Sequence, residues 1–252
     1  MFLTTKNELY GGKLITITKS FSMKQLLLLL ISSFIFSCHT EPEYNTTIAT
    51  DGQVIGIDIS HHQGDIDWSK VSSWDGNPIQ FIYMKATEGE TYQDPKYKTY
   101  MREARRLNIP IGTYHYFRTS SDPKGQSRNF MKTIDKNKQD LVPMVDVEEM
   151  KHWNSKTFHK NLKLFLKLIE DEFGKKPIIY TVNSFYNHHL SNRYDEYEFL
   201  IGRYGKNSPN MRDKKKWFAW QFSETGKVKG IPKPVDIDVL NEGVSLNSIR
   251  LD

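Results

Sequence analysis

The chain has 252 residues, a formal net charge of +5 and a single cysteine. That length suits one large domain or two small ones with a sizeable core. With 38% hydrophobic, 13% aromatic and 26% charged residues, the composition is globular rather than disordered or fibrous. A lone cysteine excludes an intramolecular disulfide framework and a cysteine zinc cluster.

In chain order, the first feature is an apolar run over residues 26–36, preceded by Met23-Lys24-Gln25. At about 11 residues it is too short to cross a hydrocarbon core of roughly 30 Å. One basic residue, a short apolar stretch and then small residues give the shape of a secretory signal. Ile35-Phe36-Ser37-Cys38 resembles the end of a bacterial lipoprotein signal, in which the cysteine becomes the lipidated first residue of the mature protein. Phe36 is bulkier than that pattern usually carries, and the alternative is an ordinary cleaved signal with an incidental cysteine. Residues 1–22 read as a non-native leader upstream of Met23, and 1–37 as leader plus signal. Residues 38–53 read as lipidated Cys38 and a polar tether, and 54–252 as one domain. Residues 1–37 carry Lys6, Lys13, Lys19 and Lys24 against Glu8, which leaves +2 of the +5 for the rest. A basic excess points to nucleic acid or anionic surfaces only where it is concentrated, and Lys214-Lys215-Lys216 is one short cluster that reads as a solvated turn. No nucleic-acid partner is expected.

Within the domain, eight short runs rich in β-branched and aromatic residues predict strands: 54–60, 81–87, 109–117, 141–148, 177–182, 199–204, 217–223 and 235–240. Asp94-Pro95 opens a helical segment to Leu107, and Asp122-Pro123 opens another toward Ile134. Residues 155–173 form the clearest helix, with Phe158, Leu162, Phe165, Leu166 and Ile169 at helical spacing and Gly174 as its stop. A short helix follows Asn183. After about residue 191 the alternation weakens. The pattern predicts an α/β fold, an irregular TIM-like barrel of about five β/α units followed by three plain strands.

A β/α barrel places its chemistry at the carboxyl ends of its strands. Three of the expected strand ends carry acids: Asp58, then Asp146 and Glu148, then Asp236 and Asp238. Residues i and i+2 share a face, so Asp146 and Glu148 point the same way with Cα atoms roughly 6.6 Å apart. Two nearby carboxyls in a partly desolvated site cannot ionise independently, so one stays protonated beside an ionised partner, as glycosidic cleavage requires. Tyr114, Tyr116, Tyr180 and Trp220 lie near strand ends, where flat rings stack on sugars or serve as core. Gln221, Arg203 and Lys85 are candidate donors to substrate. His61-His62 and His188-His189 are adjacent pairs that chelate poorly, and neither a metal nor a cofactor is expected. No Gly-x-Ser-x-Gly elbow or phosphate loop occurs.

Several blocks carry a family resemblance: Gly56-Ile57-Asp58-Ile59-Ser60-His61-His62-Gln63-Gly64-Asp65-Ile66-Asp67-Trp68, Phe81-Ile82-Tyr83-Met84-Lys85-Ala86-Thr87-Glu88-Gly89, Gly112-Thr113-Tyr114-His115-Tyr116-Phe117, Asp146-Val147-Glu148, and Trp220-Gln221-Phe222-Ser223 with Val235-Asp236-Ile237-Asp238. In that order they resemble the glycoside hydrolase family 25 lysozymes, the Chalaropsis-type N-acetylmuramidases, over nearly the whole domain. The resemblance implies the same irregular barrel and hydrolysis of the β-1,4 bond between N-acetylmuramic acid and N-acetylglucosamine in peptidoglycan. It makes Glu148 the general acid, Asp146 its partner toward the substrate acetamido group, and Asp58 and Asp236 the remaining acids. Asp238 ranks lower, because the family often has Asn or Asp there, and Tyr114 is the foremost aromatic contact. The expected protein is a monomer, secreted across the inner membrane and held at the bacterial cell envelope through lipid on Cys38. The rival readings are a peptidoglycan-binding lipoprotein that does not cut and a chitinase-like barrel glycosidase.

Overall fold

A computed structural model describes residues 2–10, 13–21 and 53–251, and the chain divides into two compact units, Met1–Asn45 and Thr46–Asp252. In the first, β1 (Phe2–Tyr10) and β2 (Lys13–Phe21) pair antiparallel, Phe2 opposite Phe21 and Tyr10 opposite Lys13. The apolar signal-like run, Cys38 and the tether up to residue 52 lie outside the described residues. Among the described residues no helix is long and apolar enough to cross a membrane.

The second unit is a closed barrel of eight strands. In chain order they are β3 (Ile55–Ile59), β5 (Asn77–Glu88), β7 (Ile111–Tyr116), β8 (Met144–Asp146), β9 (Ile178–Val182), β10 (Phe199–Gly202), β11 (Ala219–Gly226) and β12 (Val235–Leu240). Two short pieces, β4 (Ser73–Trp74) and β6 (Tyr92–Gln93), pair with β5. Each barrel strand neighbours the next in sequence, and β12 closes the ring on β3. All neighbours are parallel except β12, which is antiparallel to both β11 and β3. Six of the eight strands fall within the runs that the sequence patterning marks; β5 begins four residues before the run 81–87 and ends one after it, and β11 continues three residues past 217–223.

Helices cross over between the middle strands: α1 (Tyr97–Ala104), α2 (Pro123–Thr133), α3 (Ser155–Phe173) and the single turn α4 (Asn183–Phe185), which runs on into a wide turn over Tyr186–Leu190. The first crossover, from β3 to β5, holds single 3-10 turns at His61–Gln63 and Trp68–Lys70 and the short β4 in place of a helix. Local chemistry sets the ends of α3. The Asn154 side chain accepts from the Thr157 amide at 2.9 Å, and Gly174 takes the left-handed conformation at φ 71° that stops the helix. The buried stripe from Phe158 to Ile169 packs on the barrel wall.

Strand parity splits the core into two layers. Ile55, Ile57, Ile59, Ile82, Met84, Ile237 and Val239 point outward into the layer shared with the helices. Phe81, Tyr83, Met144, Ile178, Tyr180, Leu200 and Leu240 fill the inside. Space inside is made by glycine. A Cβ on Gly56 would lie 2.2 Å from the Phe81 ring, and one on Gly112 would lie 2.2 Å from the Tyr83 ring. The Tyr83 hydroxyl donates to the Val142 carbonyl at 3.0 Å. The chain's last turn closes the amino-terminal end of the barrel, the Val142 amide donating to the Ile249 carbonyl at 2.8 Å and the Leu251 amide to that of Asp140 at 3.0 Å. The interior is therefore a filled floor, and the open end is where the strands finish.

Candidate active site

Above that floor lies a cleft of about 200 Å³, lined by Asp58, Tyr114, Met144, Asp146, Glu148, Tyr180, Tyr204, Gln221, Glu224 and Asp236. Strands on all sides of the ring contribute: β3 supplies Asp58, β8 and its end Asp146 and Glu148, β11 Gln221, and β12 Asp236. All four acids expected to do chemistry thus converge, with Tyr114, Tyr180 and Gln221 beside them.

The acids are crowded and poorly solvated. Asp146 is 7% exposed, and its Oδ1 has no hydrogen-bond partner. Burial and then the charge of Glu148 push Asp146 well above the usual carboxylate range, and burial also raises Glu148. The neighbouring charge of Glu148 adds to burial in opposing the ionisation of Asp146, so Asp146 holds its proton to higher pH than an isolated acid would. Asp58 is raised by burial and by Asp236, Asp238 and Asp146, against the hydrogen bond from Gln221. Asp236 is pushed up to about 7 by burial, then by Glu224 and Glu148. Asp238 lies deeper on the same face, wholly buried with neither carboxyl oxygen partnered, and burial holds it well above the ordinary range. It does not line the cleft.

Four further candidates also stand back from the cleft. Lys85 is ion-paired to Glu88 at 2.6 Å and sits 5.2 Å from the centre of the Tyr116 ring. Tyr116 is covered on another side by the Arg118 guanidinium at 4.4 Å, and Arg118 in turn pairs with Glu88 and Glu149. This stack packs beside Glu148, whose charge helps to raise the Tyr116 hydroxyl after burial. Arg203 spends its guanidinium on the Ser208 carbonyl at 2.6 Å, and its own carbonyl accepts from the Trp220 indole at 2.6 Å. Trp220 is turned to the outer layer, against Trp217 and Phe222.

Three cleft residues, Met144, Tyr204 and Glu224, are not among the candidates that the sequence names. Tyr204 shares parity with Gly202, whereas Arg203 lies on the other side, so alternation alone favours the tyrosine. Glu224 could not be reached that way. The register between β11 and β12 shifts at Gln221/Ser223 and again at Ser223/Gly226, and such bulges break the parity count. Outside the cleft, the buried carboxylate of Asp94 holds His61 by its amide at 3.0 Å and its Nδ1 at 2.8 Å, and caps Lys96 at 2.9 Å.

A closed barrel with paired carboxyls and further acids at its strand ends defines a barrel glycosidase. The model of the family described as Glycosyl hydrolases family 25 matches residues 57–231, and the chain belongs to that family. It is therefore a glycoside hydrolase of the lysozyme type. It is 38% identical over 188 residues to the uncharacterized protein YegX of Escherichia coli, covering 74% of this chain and 69% of that one. It is 31% identical over 189 residues to the autolytic lysozyme of Clostridium acetobutylicum, covering 75% of this chain and 56% of the relative. Among solved structures, a family 25 glycosyl hydrolase from Bacillus anthracis superposes with a TM-score of 0.68 at 28% identity, covering 75% of this chain and 90% of that one. A bacterial lysozyme from Streptomyces coelicolor gives 0.68 at 27% identity, covering 77% and 94%.

Proposed function

We propose that the protein is an N-acetylmuramidase that cleaves the β-1,4 bond between N-acetylmuramic acid and N-acetylglucosamine in peptidoglycan with net retention. The observation that carries the reading is the convergence of Asp146 and Glu148 with Asp58 and Asp236 in one cleft at the strand ends. The substrate's 2-acetamido oxygen attacks the anomeric carbon while Glu148 protonates the leaving oxygen. Asp146 steadies the oxazolinium that forms. Glu148, now ionised, takes a proton from the water that opens the ring. Asp58 and Asp236 complete the acidic wall, and Tyr114 and the exposed ring of Tyr204 offer faces for sugars. The enzyme works as a monomer, carried out of the cytoplasm by the 26–36 run and held at the cell envelope by lipid on Cys38.

The chemistry is tested by release of muramic-acid reducing ends from purified peptidoglycan, with chitin oligomers as the rival substrate. Glu148→Gln is expected to lower the rate by about 10²- to 10⁴-fold with the fold intact. Lysis that survives this change, or preference for chitin, overturns the assignment, and inversion at the anomeric carbon in early turnover read by NMR excludes the retaining route. The anchor is tested by mass spectrometry of the mature amino terminus, where an unmodified Cys38 rules it out.

A further inference from the structure

Gln221 stands in the cleft with both ends of its amide engaged. Its Nε2 donates to Asp58 Oδ2 at 2.6 Å. Its Oε1 accepts from the Tyr180 hydroxyl at 2.8 Å and the Tyr204 hydroxyl at 3.0 Å. Reversing the amide would set its carbonyl oxygen against a carboxylate, and the two hydroxyls can donate or accept, so the acceptor-only Asp58 carboxylate fixes which end of the amide meets it. Space for the arrangement is provided by Gly202, where a Cβ would lie 2.7 Å from the Tyr180 hydroxyl. Gln221 and Tyr180 are 3% and 6% exposed, whereas Tyr204 is 43% exposed at the mouth. A side chain with this set of partners has little left to offer a sugar hydroxyl.

We propose that Gln221 is a positioning residue: clamped by Tyr180 and Tyr204, it holds Asp58 Oδ2 and leaves Oδ1 as the oxygen presented to substrate. The inference rests on the muramidase reading and gives this acid a defined orientation within it. Asp58 needs the donor because its surroundings oppose its ionisation. Asp236 and Asp238 face it from β12, Asp146 from β8, Tyr114 from β7, Tyr180 from β9 and Tyr204 from the end of β10. Among the described residues, Gln221 is the one whose side chain hydrogen-bonds the Asp58 carboxyl in favour of the charged form.

The test compares pH profiles of kcat/KM on peptidoglycan for the full chain, Gln221→Met, Tyr204→Phe, Asp58→Asn and the Asp58→Asn/Gln221→Met double variant. Loss of the amide is expected to move the acid limb up by about one pH unit, which is about tenfold at a fixed acidic pH. Tyr204→Phe, at an exposed and more tolerant position, shifts it the same way by less. The double variant is expected to be no slower than Asp58→Asn. A uniform loss at every pH, or losses that multiply in the double variant, overturns the proposal. Carbon-13 NMR titration of the Asp58 carboxyl gives a readout free of activity. An upward shift in Gln221→Met supports the clamp even if no peptidoglycan is cut, and an unmoved titration refutes it even if peptidoglycan is cut normally.

Discussion

Replacing Asp236 by asparagine should make the protein more stable at neutral pH while damaging its site. Asp236 titrates at about 7 in the folded protein against an ordinary 3.8. A carboxyl raised in this way binds its proton more tightly folded than unfolded. Its folded-state handicap is therefore absent below pH 4, grows as pH rises from about 4 to 7, and is full above 7. Three pH units correspond to about 4 kcal/mol. Asp236 is not wholly buried, and solvent screening cuts that to about 2 kcal/mol. For a domain of this size such a gain raises Tm by about 4 to 8 °C. The assay is thermal unfolding of both proteins at pH 4 and pH 8, followed by circular dichroism. Asp236→Asn should melt higher at pH 8 and nearly together with the parent at pH 4. Equal melting at pH 8, or the same offset at both pH values, refutes the view that the acids of this cleft are held out of water against their ionisation.

Three further substitutions probe the rest of the frame. Asp238→Asn replaces a carboxyl whose ionisation is opposed by its burial with an uncharged isostere, so activity should stay within a few-fold and stability within about 1 kcal/mol; a loss of hydrolysis beyond tenfold would show that Asp238 is used ionised. Gly56→Ala drives a methyl to 2.2 Å from the Phe81 ring and should cost about 1–3 kcal/mol in urea unfolding. Asn154→Ala removes the cap of α3 at 2.9 Å and should cost about 1 kcal/mol without changing kcat, since the helix lies outside the barrel wall.

The strands and the ends of α3 were legible because each depends on local periodicity and on residues that cap it. The first crossover was harder. Gly64 and Gly76 take positive φ in it, and the chain makes two 3-10 turns where a β/α unit suggests a helix. The β1–β2 hairpin was not anticipated, because a reading that treats residues 1–22 as leader does not look for pairing there. The acids were found by position at strand ends, and i, i+2 parity joined Asp146 to Glu148. The same parity separates Trp220 from Gln221 and Arg203 from Tyr204. Choosing Trp220 and Arg203 by residue type, for sugar stacking and for charge, led away from the side of the strand that faces the cleft. Glu224 depends on two register shifts and Gln221's role on partners from three strands, neither of which a single strand encodes.

The floor explains why the acids behave as they do. Below them the barrel is packed by Phe81, Tyr83, Ile178 and Leu200, the first two admitted by Gly56 and Gly112 on the neighbouring strands, and sealed by the turn over Leu246–Ile249. Water can reach the carboxyls only from above, through a cleft of about 200 Å³. Each added acid therefore raises its neighbours instead of being screened from them. An open sheet with the same residues would solvate Asp146 and Glu148 from the side and return both toward ordinary values. In the closed ring the pair keeps its proton, and the stability lost to Asp236 at neutral pH has the same origin as the acid available to a glycosidic oxygen.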